Sequence, residues 1–457
     1  MNKKLIPHLI TILSVILLIS CGVVTKTYQQ PESSLSEALY RDVNNTDSIT
    51  MAKKPWQDLF SDQHLQQLIQ EGLDQNLDLK SAVERIHIAQ ATLQQIKLAF
   101  YPTLDGTATV TRSGVSGSSA TNIWQPYLSS AWELDIWGKL KSTKKAALAS
   151  YQRSDAACRA IQTALIASIA NSYYTLLALD EQLNITRQTI QIREQDVVSM
   201  KLLKESGIVT GAAVVQSQAN LYSAEVSIPD LQKSIRQTEN ALCTLLGKAP
   251  GSILRGKLAQ QVPLTDLKTG ISSQLLSNRP DVKEAEFALR EAFENVNVAK
   301  ADFYPTLSLS ANSGVSTLSL SNFLDYSLFY NLVAGLTEPI FNRGQIKTSY
   351  KIAQARQQEA YNTFKSSLLI AGEEVSNALY AYQMASEKEL SRTKQLEALE
   401  KSVEFTKELL QYSSATNYTD VLTSEQNLLS AQLASVNDLV EKLQAVVELY
   451  RALGGGW

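Results

Sequence analysis

Twice along this chain a helical spacing of apolar residues gives way to strict alternation, and both changes follow the same five residues, Phe-Tyr-Pro-Thr-Leu, at Phe100–Leu104 and Phe303–Leu307. After Pro102, Leu104, Ala108 and Val110 alternate with Thr103, Asp105, Thr107 and Thr109; after Pro305, Leu307, Leu309 and Ala311 alternate with Thr306, Ser308 and Ser310. A period of two predicts extended strands with one apolar and one polar face. Serine- and glycine-rich stretches at 113–119 and 313–321 read as tips, and return strands follow. Trp124, Leu128, Trp132, Leu134 and Ile136 share a face in the first, opposite Gln125, Ser129, Glu133 and Asp135; Tyr326, Leu328, Tyr330, Leu332, Ala334 and Leu336 share a face in the second. The pattern therefore predicts β-hairpins at about 102–136 and 305–340, with strands of the ~10-residue length that crosses a membrane in a barrel. Four strands cannot close a barrel, and open edges are not tolerated in lipid, so membrane insertion requires several copies. The alternative is a soluble β-sandwich cap with one wet face.

Everywhere else the period is helical. Helices are predicted at Leu77–Ala99 and Asp281–Asp302, before the two strand switches; Ser277, Asn278 and Pro280 give the second a start signal. From Lys139 to Ser206 no Pro or Gly interrupts, and Ile169, Leu176, Leu183, Ile190 and Val197 recur every seven residues. Such a helix would be roughly 100 Å long. Gly207 and Gly211 break it, and Val214, Leu221, Ile228, Ile235 and Leu242 lead back, with Pro229 predicted to kink the return. The second half repeats the plan: Lys347–Gln411 goes out, Ser413–Asn417 turns, and Leu422, Leu429, Val436, Leu443 and Tyr450 return. Heptad stripes of this kind are the cores of paired helices. The expected organisation is a first repeat at 55–247 and a second at 273–457, joined by a Gly- and Pro-interrupted segment at 248–272, with residues 21–54 as an extended tether.

Residues 1–20 read as an export signal: Lys3 and Lys4 precede an apolar run too short and too interrupted by Pro7 to span a bilayer comfortably. The run ends Leu18-Ile19-Ser20-Cys21-Gly22, which resembles a bacterial lipobox and marks Cys21 for lipidation; a plain secretory signal is the alternative. The two remaining cysteines, Cys158 and Cys243, form no disulfide framework and are read as small buried hydrophobes. A net charge of −3 with interspersed signs gives no basic face for nucleic acid. No later segment is apolar enough for a membrane helix, so any membrane span is made of strands. Of three histidines, His8 lies in the signal; Glu84-x-x-His87 has a metal-site spacing but no second copy, and a solvated helix face is the better reading. No catalytic motif is present, and neither an enzymatic activity nor a cofactor is expected.

Several motifs together resemble the TolC-like outer membrane efflux family, in its OprM-type lipoprotein branch: Trp56-Gln-Asp-Leu-Phe60, the duplicated Phe-Tyr-Pro-Thr-Leu, Trp132-Glu-Leu-Asp-Ile-Trp-Gly138, Leu245-Leu-Gly247, Asn278-Arg-Pro-Asp-Val282 and Leu453-Gly-Gly-Gly-Trp457. The resemblance covers nearly the whole chain after Cys21. It implies an α+β membrane protein in which three chains form a twelve-stranded outer membrane barrel continued by a periplasmic α-helical barrel. The implied function is a passive exit duct for drugs or other small substrates, fed by an inner-membrane pump of RND or ABC type through a periplasmic membrane-fusion adaptor. Alternatives are a secretion duct for polypeptides and a poreless coiled-coil lipoprotein. By resemblance, Asp420 would belong to an acidic ring at the periplasmic aperture, although Thr423 replaces the second acidic residue of the family pattern. Asp420 also fits an ordinary first-turn carboxylate on a helix dipole. The turns around Gly207, Thr210 and Gly211 and around Ser414, Ala415 and Asn417 would meet the adaptor, with Ser414 standing where the family has glycine.

Overall fold

A computed structural model describes residues 25–31, 50–117, 119–264, 267, 278–318, 328–412 and 418–457. Cys21, Ser277, Tyr326, Ser414, Ala415 and Asn417 lie outside the described residues. Short helices α1 (Trp56–Leu59) and α2 (Gln63–Gln75) lead into α3 (Leu77–Leu98), the hairpin β1 (Thr103–Ser113) and β2 (Thr121–Leu134), and the long pair α4 (Lys139–Glu205) and α5 (Gly211–Leu245). The same series returns as α6 (Pro280–Ala301), β3 (Thr306–Val315), β4 (Leu328–Thr337), α7 (Gln345–Tyr412) and α8 (Tyr418–Ala452). Helices α3 and α6 each have 22 residues, α5 and α8 each have 35, and α4 and α7 have 67 and 68. The two series thus match in element order and in helix length. Pro280 opens α6, where its missing N–H costs nothing. Helix α5 continues through Pro229 as one element.

The chain divides into two compact units, each drawing on both repeats. The first contains Glu84–Ala156 and Lys283–Ser366 with the residues up to Glu32; the second contains Ser33–Val83, Ala157–Val282 and Ser367–Trp457.

Within the first unit, the two hairpins join into one antiparallel sheet ordered β1-β2-β3-β4. The central β2–β3 pairing, with Trp132 opposite Leu309 and Leu134 opposite Leu307, links the two repeats. Asp135 and Ile136, expected in the return strand, lie beyond β2. The reason is local: Asp135 accepts hydrogen bonds from the backbone N–H groups of Leu140 and Lys141, at 2.9 and 2.8 Å, and so caps α4. Residues 25–31 form neither helix nor strand, yet they are bound rather than loose. Lys26 N–H donates to Asn297 Oδ1 and the Asn297 amide donates back to Lys26 O, while the Tyr28 ring stands edge-on to Phe293 at 5.5 Å.

In the second unit part of the heptad set forms the core, while Ile190, Leu221, Ile228, Ile235, Leu422 and Leu429 stay only half-buried in the single chain. Ile169, Leu176, Leu183 and Val197 on α4 are buried, as are Val436, Leu443 and Tyr450 on α8. Leu65 and Ile69 of α2 join them, and Gly72 lets α2 lie against Ile169, where an added Cβ would stand 2.4 Å from its Cδ1. Cys243 is buried as expected. Cys158, by contrast, is only half-buried, because the turn of α4 around it has no fully buried face beyond Ala156.

Candidate functional site

The sheet sorts most of its side chains into an apolar and a polar face. Register places Leu104, Ala108 and Val110 of β1, Trp124, Leu128 and Trp132 of β2, Leu307 and Leu309 of β3, and Leu328, Leu332 and Leu336 of β4 on one face. Thr, Ser, Asn, Asp105 and Glu133 dominate the other. The apolar face is uncovered: Leu104 is 72% exposed and Leu332 74%. A solvated sheet buries its apolar face, whereas this one leaves it uncovered. Strands β1 and β4 each have one unpaired edge.

The junctions that start the strands are anchored by aromatic residues. Pro102 and Pro305 disfavour helix at the tyrosines before them. Trp132 Nε1–H donates to Phe100 O at 2.9 Å, Trp137 Nε1–H donates to Pro305 O at 2.8 Å, and the Trp137 and Tyr304 rings lie 5.0 Å apart. Lys139 and Asp302 form an ion pair at 2.9 Å beside them. An aromatic belt with polar ends suits a membrane interface.

The residues expected at the turns lie in the second unit. Gly207 ends α4 with φ +74, and Ile208 N–H reaches back to Leu203 O at 2.9 Å, so this is a Schellman stop that requires the left-handed residue. Thr210 is the N-cap residue of α5 and Gly211 its first helical residue. Asp420 is exposed in the first turn of α8. Thr423, one turn on, is exposed too, but its hydroxyl is turned back onto Thr419 O at 2.9 Å. Structure brings the two helix ends together: Met200, Val214, Tyr418 and Val421 form one buried cluster. Beside it a cleft of about 1020 Å³ has Thr210 on one side and Thr419 and Thr423 on the other. Glu84 and His87, by contrast, are both exposed, and no cluster of three or more His, Cys, Asp or Glu that could hold a metal occurs among the described residues.

Sequence reading missed an ionic cluster just behind these ends. Arg193 of α4, 6% exposed, donates to Asn220 O and to Gln426 Oε1. Lys407 of α7 pairs with Glu425 of α8 at 2.5 Å and lies 3.7 Å from Asp196 of α4. Four helices thus converge on two cations and two carboxylates. Burial pushes Asp196 up to about 6, the Glu425 charge adds to the rise, and Lys407 opposes it. A carboxyl raised in the folded state contributes stability that is fully present below its ordinary value near 3.8 and is lost as pH rises through 6. Lowering pH from 7 to 5 is therefore expected to ease this site, and Asp196→Asn should remove that part of the pH dependence of thermal unfolding in detergent. An unchanged pH profile in the variant would rule the assignment out.

A two-faced sheet with an uncovered apolar face, combined with helices of 67 and 68 residues, is the combination expected of an outer membrane channel protein. The profile of the outer membrane efflux protein family matches residues 68–248 and 271–455, and the chain belongs to that family. It is 29% identical to the probable outer membrane lipoprotein SilC of Salmonella typhimurium, over 98% of each chain. The toluene efflux pump outer membrane protein TtgC of Pseudomonas putida is also 29% identical, over 94% of this chain and 92% of its own. Among solved structures, the open state of the Neisseria gonorrhoeae MtrE outer membrane channel superposes with a TM-score of 0.86 at 27% identity, covering 94% of this chain and 98% of that one. The protein is an outer membrane efflux channel of a tripartite pump, and its work is transport rather than catalysis.

Proposed function

We propose that three copies of this chain close their four-stranded sheets into a twelve-stranded barrel, and that the helices continue the barrel into the periplasm as a passive duct. The observation that carries this reading is the sheet itself, with its apolar face uncovered and both edges open. Two copies would give eight strands, a barrel filled by its own side chains; three leave a passage. The SilC name, an outer membrane lipoprotein, supports Cys21 as a lipidated first residue after cleavage of residues 1–20, and so a lipid-anchored outer membrane location. The TtgC name, a toluene efflux pump outer membrane protein, supports small apolar cargo delivered by a pump over a polypeptide secretion route; the partners in this reading are an inner-membrane pump of RND type, rather than an ABC-type exporter, and a periplasmic membrane-fusion adaptor. Adaptor contact falls to the turns around Gly207, Thr210 and Gly211 and around Ser414, Ala415 and Asn417.

Three Asp420 carboxylates around a narrow periplasmic axis would repel one another and favour cations. The protein extracted in mild detergent should have the mass of a trimer and should form cation-preferring channels in planar bilayers. Asp420→Ala should raise the conductance and weaken the cation preference. A monomer without channel activity would overturn the duct; a trimeric channel untouched by Asp420→Ala would remove the aperture role alone.

A further inference from the structure

The polar face of the sheet holds one feature unlike its surroundings. Row by row, that face presents Thr103, Ala131, Ser310 and Val333, then Asp105, Ser129, Asn312 and Asn331. The next row is Thr107, Tyr127, Gly314 and Phe329, and its Tyr127 and Phe329 are the only aromatic side chains on this face among the described strand residues. Their ring centroids lie 6.4 Å apart, tilted by 57°, and they meet across Gly314. A Cβ on Gly314 would stand 2.4 Å from both Pro126 O and Tyr127 Cβ, so any other residue would force β2 and its ring away. Glycine here is what allows the two rings to pair.

Charge on the same face is one-sided. Asp105, one row away, and Glu133 are its ionisable residues, and no lysine or arginine stands on it among the described strand residues; Arg112 belongs to the opposite alternation. A pair of π-faces in a field of carboxylates complements an organic cation that is also aromatic.

Resting on the trimeric barrel reading, we infer that Tyr127 and Phe329 build an aromatic constriction in the barrel lumen, separate from the Asp420 aperture, where planar aromatic cations are held in transit. Three symmetry-related pairs at one level would line the passage with six rings, against the smaller Asp, Ser and Asn side chains of the neighbouring row. Bulk at this level narrows the duct; the rings also select what lingers there.

The test uses the full-length protein in planar bilayers with ethidium, a planar aromatic cation, added to the bath. Ethidium should block the wild-type current, and Tyr127→Ala with Phe329→Ala should raise the half-blocking concentration roughly tenfold, about the worth of one desolvated cation–π contact. Tyr127→Phe should retain the block. If the double alanine variant does not insert, Tyr127→Leu with Phe329→Leu keeps apolar bulk but no rings and should also lose the block. A conducting channel whose ethidium block is unchanged in either double variant overturns the aromatic site and leaves the barrel intact. Absence of any conductance, in the wild type and in Asp420→Ala alike, overturns the barrel and the site with it.

Discussion

Replacing Arg279 with alanine is expected to destabilise the second unit by about 3 kcal/mol, the lower end of what breaking a buried ion pair costs. Arg279 is 3% exposed, and its guanidinium donates to both carboxylate oxygens of Asp281, at 2.9 and 2.6 Å. The same group reaches Glu374 at 2.6 Å and the Ala452 carbonyl at 3.0 Å, so one side chain ties the start of α6 to α7 and to the end of α8. Gly454, with φ +85, gives this arginine its room: a Cβ there would lie 2.6 Å from Asn278 backbone atoms. The lower end of the range applies because the Asp281 and Glu374 side chains keep 43% and 28% exposure, and water would take over part of their solvation once the guanidinium is gone. Lysine should not rescue the loss, since a single ammonium cannot span three acceptors with a planar fork. Burial alone would raise the Asp281 pKa, but the hydrogen bond and charge of Arg279 outweigh it and hold the carboxyl below its ordinary 3.8. A depressed carboxyl contributes stability above that value and loses it as pH falls through the folded pKa. Wild-type protein should therefore lose stability on acidification below about pH 4, and Arg279→Ala should lose less over the same range. Thermal unfolding of the two proteins at pH 7 and pH 3.5 checks both the size and the pH arm.

Sequence reading reached this region only as a motif. Asn278-Arg-Pro-Asp-Val282 signals a helix start, and the structure uses it as one, with Pro280 first in α6. The partners Glu374 and Ala452 stand far away in sequence on helices whose own patterns say nothing of Arg279. The ionic cluster of Arg193, Asp196, Lys407 and Glu425 was hidden for the same reason: three separate helices supply it, and a charged residue near a helix end is the commonest thing in such a chain. What periodicity does encode is legible. Alternation located all four strands and assigned their faces, because a period of two is imposed by the pleat. Sevens identified Ile169, Leu176, Val436 and Leu443 as core, because a 3.5-residue stripe faces a partner helix. Asp135 was read by alternation as one more polar strand residue, when its real partners are the free N–H groups of α4. Pairing across the halves, β2 on β3, left no local signal, since neither strand contains the other's register; it also created the Tyr127–Phe329 contact, which no reading of one hairpin could find.

Adjacent residues of β4 offer the sharpest test of which way the sheet faces. Leu332 lies on the apolar face, opposite Ala311, and Asn331 on the polar face, opposite Asn312. An arginine exposed to lipid near the middle of an outer membrane strand costs ~2–4 kcal/mol, so Leu332→Arg would cost the trimer roughly 6–12 kcal/mol, enough to prevent stable insertion. In the proposed barrel, Asn331→Arg would face water in the lumen and meet no such penalty. The first variant is expected to vanish from the outer membrane fraction and from the trimer band, while the second assembles normally and conducts with a reduced preference for cations, because three new positive charges stand in the passage. Both outcomes follow from one residue of register. Were the sheet a solvated cap instead, its exposed leucines would be the anomaly, Leu332→Arg would be harmless or would improve solubility, and neither variant would alter an ion current. Equal assembly of the two arginine variants would therefore turn the sheet away from the membrane and take the duct with it.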